Sequence, residues 1–413
     1  MAPRRRSGRR SPHASIRPSP LLLDLAAGRH PQGGEVDAAL LAAAAQHRMT
    51  GLLWTWAREH LSDQDLRARL VMKDLSVQAH LGRVWSVLES SVALLDTVGI
   101  QTATVKGVTA EARWYSRRGE RPCSDVDLLL APHQLDRAAE ALAILQPEHP
   151  WVAHLDGLVA SRRVQAVTLR VDGIQVDLHL DLLKLGIPTR GASALWDRTT
   201  PYPLPGGGHV RVLDDTAALM HLLVHLNKDR FQRLLGFADI ARIVASGRVD
   251  WELLQWDAAR EGIEVAVWRT LETVLDELEL PRPAEVDRPR GPRALAWDML
   301  WPQAIRLRGS EGRLRYRMRQ NWIALLARGR AREAARWWLR ELWPSALAVE
   351  VHYKDIRGPY LWKLLRGRLK AAVAQRRDVV RIRQQIAAFK DEGAPSTKQA
   401  VVDPVAEGSD MER

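Results

Sequence analysis

Between Val36 and Val98 apolar residues recur at steps of three or four, the period of helices with one buried face. Leu81, Trp85, Leu88, Val92 and Leu95 form the clearest stripe, and Gly99 supplies a stop because glycine accepts the left-handed conformation cheaply. From Ile100 the period changes. Ile100 to Val105 is a short β-type run, followed by Lys106-Gly107, a helical segment to about Tyr115 and a polar, basic loop from Ser116 to Cys123. Asp125 to Ala131 reads as a strand, and Pro132 suits the first turn of a helix running to about Leu145. Gln165 to Val171 and Ile174 to Leu182 alternate as strands joined by Asp172-Gly173, a strong hairpin signal because the tight turn needs positive φ at both positions.

Pro201 to His209 is turn-rich, and its Gly206-Gly207-Gly208 run lacks the spacing and lysine of a phosphate-binding loop, so it reads as a hairpin connection. From Asp215 the helical period returns in Leu219, Leu222, Leu223, Leu226, then Leu234, Leu235, Phe237, Ile240 and Ile243. The pattern predicts an α+β protein in which a small mixed sheet is flanked by helical regions. The expected divisions are a disordered basic tail over 1–20, a helical region over 21–99, an α+β core over 100–213, a second helical region over 214–390 and a polar tail over 391–413.

Charge adds one feature. The net charge of +12 is uneven: 22 Lys and Arg face only 6 Asp and Glu between Trp301 and Lys390. Arg4, Arg5, Arg6, Arg9 and Arg10 make a second basic block, which reads as a solvated tail. Such blocks attract phosphates, nucleic acid or anionic surfaces, yet no nucleic-acid-binding motif accompanies them. No apolar run approaches the roughly 20 residues of a membrane span. The single Cys123 excludes an intramolecular disulfide, so a reducing, cytoplasmic setting is expected. Trp337 to Trp343 reads as a core or interdomain helix rather than a membrane-surface segment.

The chemistry concentrates at Ser124-Asp125-Val126-Asp127. In a strand Asp125 and Asp127 share a face, with arms roughly 6–7 Å apart after two rises of about 3.3 Å. Their repulsion is about 2–3 kcal/mol at an effective dielectric near 20, and a divalent cation between them reverses its sign. On the second hairpin strand Asp177, His179 and Asp181 face one way while Val176, Leu178 and Leu180 face the other. Asp177 is the expected third carboxylate, ranked above Asp181 because the strand should fray toward Gly186. Two-metal phosphoryl transfer uses such a set, and Mg²⁺ favours oxygen ligands. Lys106, the backbone at Gly107 and Arg121 would face a triphosphate. Cys123 reads as a small filler. His221 and His225, at i and i+4 without a glutamate at the zinc-helix offset, read as packing or substrate-pocket residues.

These residues, together with the helical segments Leu219–His225 and Leu234–Ile240 and the later Trp343-Pro344-Ser345, resemble the uncharacterised nucleotidyltransferases of the DNA polymerase β-like superfamily over roughly Val36 to Lys370. The resemblance implies Asp125, Asp127 and Asp177 as ligands of two Mg²⁺ ions and as the catalytic set. It places Lys106, Gly107, Arg121 and Ser124 at the nucleotide. It implies transfer of a nucleoside monophosphate from an NTP, with ATP the expected donor, to a hydroxyl on a small molecule, a peptide or an RNA end. The wider superfamily has Gly-Ser where this chain has Gly107-Val108, and often Glu where it has Asp177. The alternative function is a non-catalytic nucleotide-binding or regulatory protein with a degenerate site.

Overall fold

A computed structural model of the chain describes residues 18–149, 166–183 and 195–285, apart from 32 and 230, together with residues 152 and 155 and most of 290–295 and 356–369. The basic N-terminal block, the Trp337–Trp343 segment and nearly all of the basic stretch after Trp301 lie outside the described residues.

Four helices come first: α1 (Pro20–Ala26), α2 (Ala38–Gln46), α3 (Thr50–His60) and the 34-residue α4 (Gln64–Thr97). Asp63 caps α4 by accepting the Leu66 amide at 3.0 Å. The helix ends at Gly99, whose φ of 70° is the left-handed turn foreseen there. Strand β1 (Thr102–Thr104), helix α5 (Val108–Trp114) and strand β2 (Asp125–Leu130) follow. After β2 a single helix was expected. The chain instead forms a 3₁₀ segment over Pro132–Arg137, with Gln134 out of helical geometry, before α6 (Ala138–Leu145). Strands β3 (Ala166–Val171) and β4 (Ile174–His179) form the hairpin, and both Asp172 (φ 49°) and Gly173 (φ 77°) take the positive φ that its turn requires. A second hairpin, β5 (Thr199–Pro203) and β6 (His209–Leu213), is closed through the triple-glycine run. Helices α7 (Asp215–Lys228), α8 (Leu234–Ala245), α9 (Trp251–Glu261) and α10 (Glu264–Glu277) complete the described helical part.

The six strands make one mixed sheet in the order β3-β4-β2-β1-β6-β5. Strand β2 runs parallel to β4 and antiparallel to β1, while β1 runs parallel to β6. The alternation within β2 and β4 sorts their side chains onto two cores. Val126, Leu128, Leu130, Val176 and Leu178 pack with the Leu81–Leu95 stripe of α4 and with Leu142 of α6. Leu129 and Ala103 point the other way, into a larger core shared with α7, α8, α10 and the first three helices. Asp125 and Asp127 follow the period of Leu129, so the acidic residues lie on the sheet face that looks toward the helices after β6. Among the described residues no helix is long and apolar enough to cross a membrane.

Candidate active site

Strands β2 and β4 are paired in parallel with Asp127 directly opposite Asp177 and Leu129 opposite His179. This register sets side chains from two strands on one face at the spacing of adjacent strands, roughly 5 Å. Ligand atoms of Asp127, Asp177 and His179 all lie within 4.8 Å of one another, a group able to hold a metal ion. His179 was visible on the right face in the sequence but was not assigned a role. The Asp177-x-His179 alternation was the signal for it. Asp125 stands outside this tight group, one pleat back on β2, and its carboxylate feels both Asp127 and Asp177.

Asp127 is nearly fully buried, and one of its oxygens is engaged twice: Lys106 Nζ lies 2.9 Å and His179 Nε2 lies 2.8 Å from Oδ1. Burial opposes its ionisation, but the Lys106 charge and the His179 hydrogen bond overcome it and hold the carboxyl far below the usual range. Lys106 shows the reciprocal effect, its own burial outweighed by Asp127 so that its pKa is raised. Asp125 behaves oppositely. Burial and then the negative charge of Asp127 push its carboxyl upward, with Lys106 offsetting only part. Asp177 is oriented by Thr168 Oγ1 at 2.7 Å and Gln175 Nε2 at 3.2 Å, both donating to Oδ1. Strand β4 ends at His179, so Asp181 lies past it and accepts the Leu183 amide at 3.0 Å.

Gly107 joins β1 to α5 with φ 65° and ψ −126°, a conformation open essentially to glycine alone. A Cβ placed there would stand 3.0 Å from Cys123 Sγ, 3.4 Å from the Asp125 carbonyl oxygen and 4.0 Å from Asp127 Oδ2. Its backbone therefore runs against the carboxylates. Burial pushes the Cys123 thiol up to about 12, which fits a neutral filler rather than a nucleophile.

Arg121, expected beside a triphosphate, is paired with α8 and with the turn after β1. Its Nε and Nη2 each donate to Asp239 of α8 at 2.8 Å, and Nη1 donates to the Gly107 carbonyl at 3.1 Å. Tyr115 donates its hydroxyl to the same Asp239 at 2.6 Å, and Arg242 lies over the Tyr115 ring at 4.3 Å. The bidentate partner lies 118 residues away in the chain, a pairing that local pattern does not encode. Ser124 is exposed just ahead of β2, with its backbone near His80 of α4.

Across from the sheet, α7 presents His221 and His225, their rings 5.9 Å apart and nearly parallel. His221 is 3% exposed, and neither ring nitrogen has a well-formed hydrogen bond. Burial, then the charges of Lys106 and His179, push its pKa down to about 3. The two histidines thus line the helical side of the same cleft.

The chemistry of the donor set fits a divalent cation. Carboxylate oxygens of Asp127 and Asp177 lie together with His179, Asp125 stands one pleat back, and among the described residues Lys106 is the one ammonium within ion-pair distance of the group. No curated protein and no solved structure matches the chain. The model of the family described as "Uncharacterised nucleotidyltransferase" matches residues 35–275, from α2 and its approach through most of α10. The match takes in every residue of the carboxylate cleft and stops short of the Trp343-Pro344-Ser345 likeness. A mixed sheet carrying acidic residues on adjacent strands is also consistent with the DNA polymerase β-like superfamily, and the chain belongs to the uncharacterised nucleotidyltransferase family.

Proposed function

We propose that the protein transfers a nucleoside monophosphate from an NTP, preferentially ATP, to a hydroxyl acceptor and releases pyrophosphate. The observation that carries this reading is the register of β2 and β4, which sets Asp127 against Asp177 beside a second β2 carboxylate, Asp125. Two Mg²⁺ ions held by Asp125, Asp127 and Asp177 would neutralise the triphosphate and lower the pKa of the attacking hydroxyl. Lys106 keeps Asp127 ionised in a buried setting. The Gly107 backbone, without a side chain, lets the turn after β1 pack against Cys123 and the Asp125 carbonyl and so seats the cleft floor. Asp177, held by Thr168 and Gln175 through one oxygen, helps activate the acceptor hydroxyl, which attacks the α-phosphorus in line as the bond to pyrophosphate breaks. Positioning and charge compensation supply most of the rate.

The test is incubation of the protein with each α-labelled NTP, Mg²⁺ and total cell extract. Label should appear on an acceptor with release of pyrophosphate, and Asp125→Asn and Asp127→Asn should each lower transfer by at least about a hundredfold. Undiminished transfer by both variants removes these residues from the reaction. One observation favours a second reading, a non-catalytic nucleotide-binding or regulatory protein: the Lys106 ammonium already neutralises Asp127. That reading expects Mg-NTP binding by calorimetry with no labelled acceptor under any condition.

A further inference from the structure

The two cations first expected at the triphosphate are already matched by Asp127 and Asp239. Two others are not. Arg48 occupies the turn between α2 and α3, and Arg233 immediately precedes α8. The Leu235 amide donates to the His47 carbonyl at 3.2 Å, tying the two segments together. On the other side, Gly51 in the first turn of α3 lies so close to the loop before β2 that a Cβ there would stand 1.9 Å from the Gly119 carbonyl oxygen. The turn carrying Arg48 is thereby wedged between the start of α8 and the loop leading to Asp125.

Arg48 has φ 58° at the C-terminal end of α2, where the Met49 amide returns to the Ala44 carbonyl at 2.7 Å, the ordinary left-handed close of a helix. Its guanidinium is half-buried, and its charged neighbours are Arg233, Asp125 and Arg121. Arg233 is exposed. Neither arginine forms an ion pair with a described residue; Arg48 lies near both Arg233 and Asp125 of the cleft. Two like charges held near each other at this junction of α2, α3 and α8 are unfavourable until an anion bridges them.

We propose that Arg48 and Arg233 form the polyphosphate-binding edge of the cleft, engaging the β- and γ-phosphates of the nucleoside triphosphate beside Asp125. This rests on the transferase reading. Asp125 argues for a compact polyphosphate carrying its own divalent ion, because a long polyanion would meet repulsion from that carboxylate. Guanidinium forks suit phosphate oxygens better than ammonium groups do.

Calorimetric titration of the full chain with Mg-tripolyphosphate and with AMP tests the assignment. Arg48→Gln and Arg233→Gln should each weaken tripolyphosphate binding about tenfold, with AMP affinity unchanged. Arg48→Lys and Arg233→Lys should recover part of the loss, which a merely structural role for the planar groups would not produce. Arg233→Gln alters an exposed side chain, so it remains a usable probe if changes at Arg48 impair folding. Tripolyphosphate binding at wild-type strength in a folded double variant, or none by the wild type, overturns the assignment. Label transfer read beside the titrations separates the two proposals. Arginine-dependent polyphosphate binding without any transfer leaves this assignment standing and removes the enzyme. Transfer with an unchanged NTP KM in the double variant does the reverse.

Discussion

Arg121, Asp239 and Tyr115 form one cluster of buried charge beside Gly107, and Asp125, Asp127, Asp177, Lys106 and His179 form another. In the first, one cation meets one anion through two parallel 2.8 Å contacts and the remaining hydroxyl donates to the same carboxylate. The charges balance. In the second, among the described residues, three carboxylates face the Lys106 ammonium and, beside Asp125, the Arg48 guanidinium, and the pKa values of two of the acids shift in opposite directions although they are two residues apart. A balanced cluster holds elements together; an unbalanced one is arranged for a charge that arrives from outside. Gly107 touches both, accepting from Arg121 through its carbonyl while a Cβ there would stand 4.0 Å from Asp127 Oδ2. The closed cluster fixes the backbone on which the open one depends.

The comparison breaks most visibly at Asp239. Asp239→Ala leaves the Arg121 guanidinium buried without its partner, at a cost of about 3–5 kcal/mol, and frees the Gly107 loop from α8. Thermal or denaturant unfolding should show the loss in the presence and absence of divalent ions alike. A variant as stable as the wild type would mean that the closed cluster does not hold the cleft together.

The next largest effect belongs to His221, which faces His225, Lys106, His179 and Asp127. Its folded pKa of about 3 lies below the unfolded value of about 6.5. Between those values the unfolded chain binds a proton that the folded one does not, so stability rises with pH across that window. The contribution is complete above pH ~6.5 and falls as the pH drops toward 3, by a few kcal/mol at most. His221→Leu should flatten the stability curve between pH ~4 and ~6.5. An unchanged slope would place the imidazole in a wetter setting than the cleft shown here.

How much of this was readable beforehand depended on distance along the chain. The Asp172-Gly173 turn, the glycine stop at Gly99 and the alternation that puts Asp177 and His179 on one face are local, and the structure carries each of them. The pairing of Asp127 with Asp177 needed one further step, the parallel register of β2 and β4 across an intervening helix and strand. The partner of Arg121 was out of reach, because nothing near Arg121 announces a carboxylate on α8. A clue lay at the other end: Asp239 interrupts an otherwise apolar helix face and is 2% exposed, where an unpaired aspartate is not stable. Arg48 and Arg233 left no local signal, since their adjacency follows from the contact of the α2–α3 turn with the start of α8.

Gly107→Ala tests the link between the clusters. The added methyl meets Cys123 Sγ at 3.0 Å and demands a backbone geometry that alanine avoids, costing about 1–3 kcal/mol. The loss should exceed that of Gly173→Ala, where a methyl group meets nothing within 4 Å. Equal losses would show that conformation alone, and not the tight cleft floor, makes glycine necessary.

The smallest effect is also the sharpest. With its folded pKa raised, Asp125 binds a proton in the native state at pH values where the unfolded chain has lost it. Stability therefore falls as pH rises from the unfolded value of about 3.9 through the raised folded pKa. The penalty is complete only above the raised folded pKa. Asp125→Asn removes it, so in chelator this variant should melt slightly higher than the wild type. Asp127→Asn should melt lower, because Lys106 loses the acid that offsets its burial. Excess Mg²⁺ should reverse the first order, stabilising the wild type by mass action while leaving Asp125→Asn unmoved. Substitutions two residues apart on one strand would then have opposite effects on the apo protein and a common defect in metal binding. If both variants melt lower in chelator and both respond to Mg²⁺ as the wild type does, Asp125 belongs with the balanced cluster and the cleft has no vacancy for a metal charge.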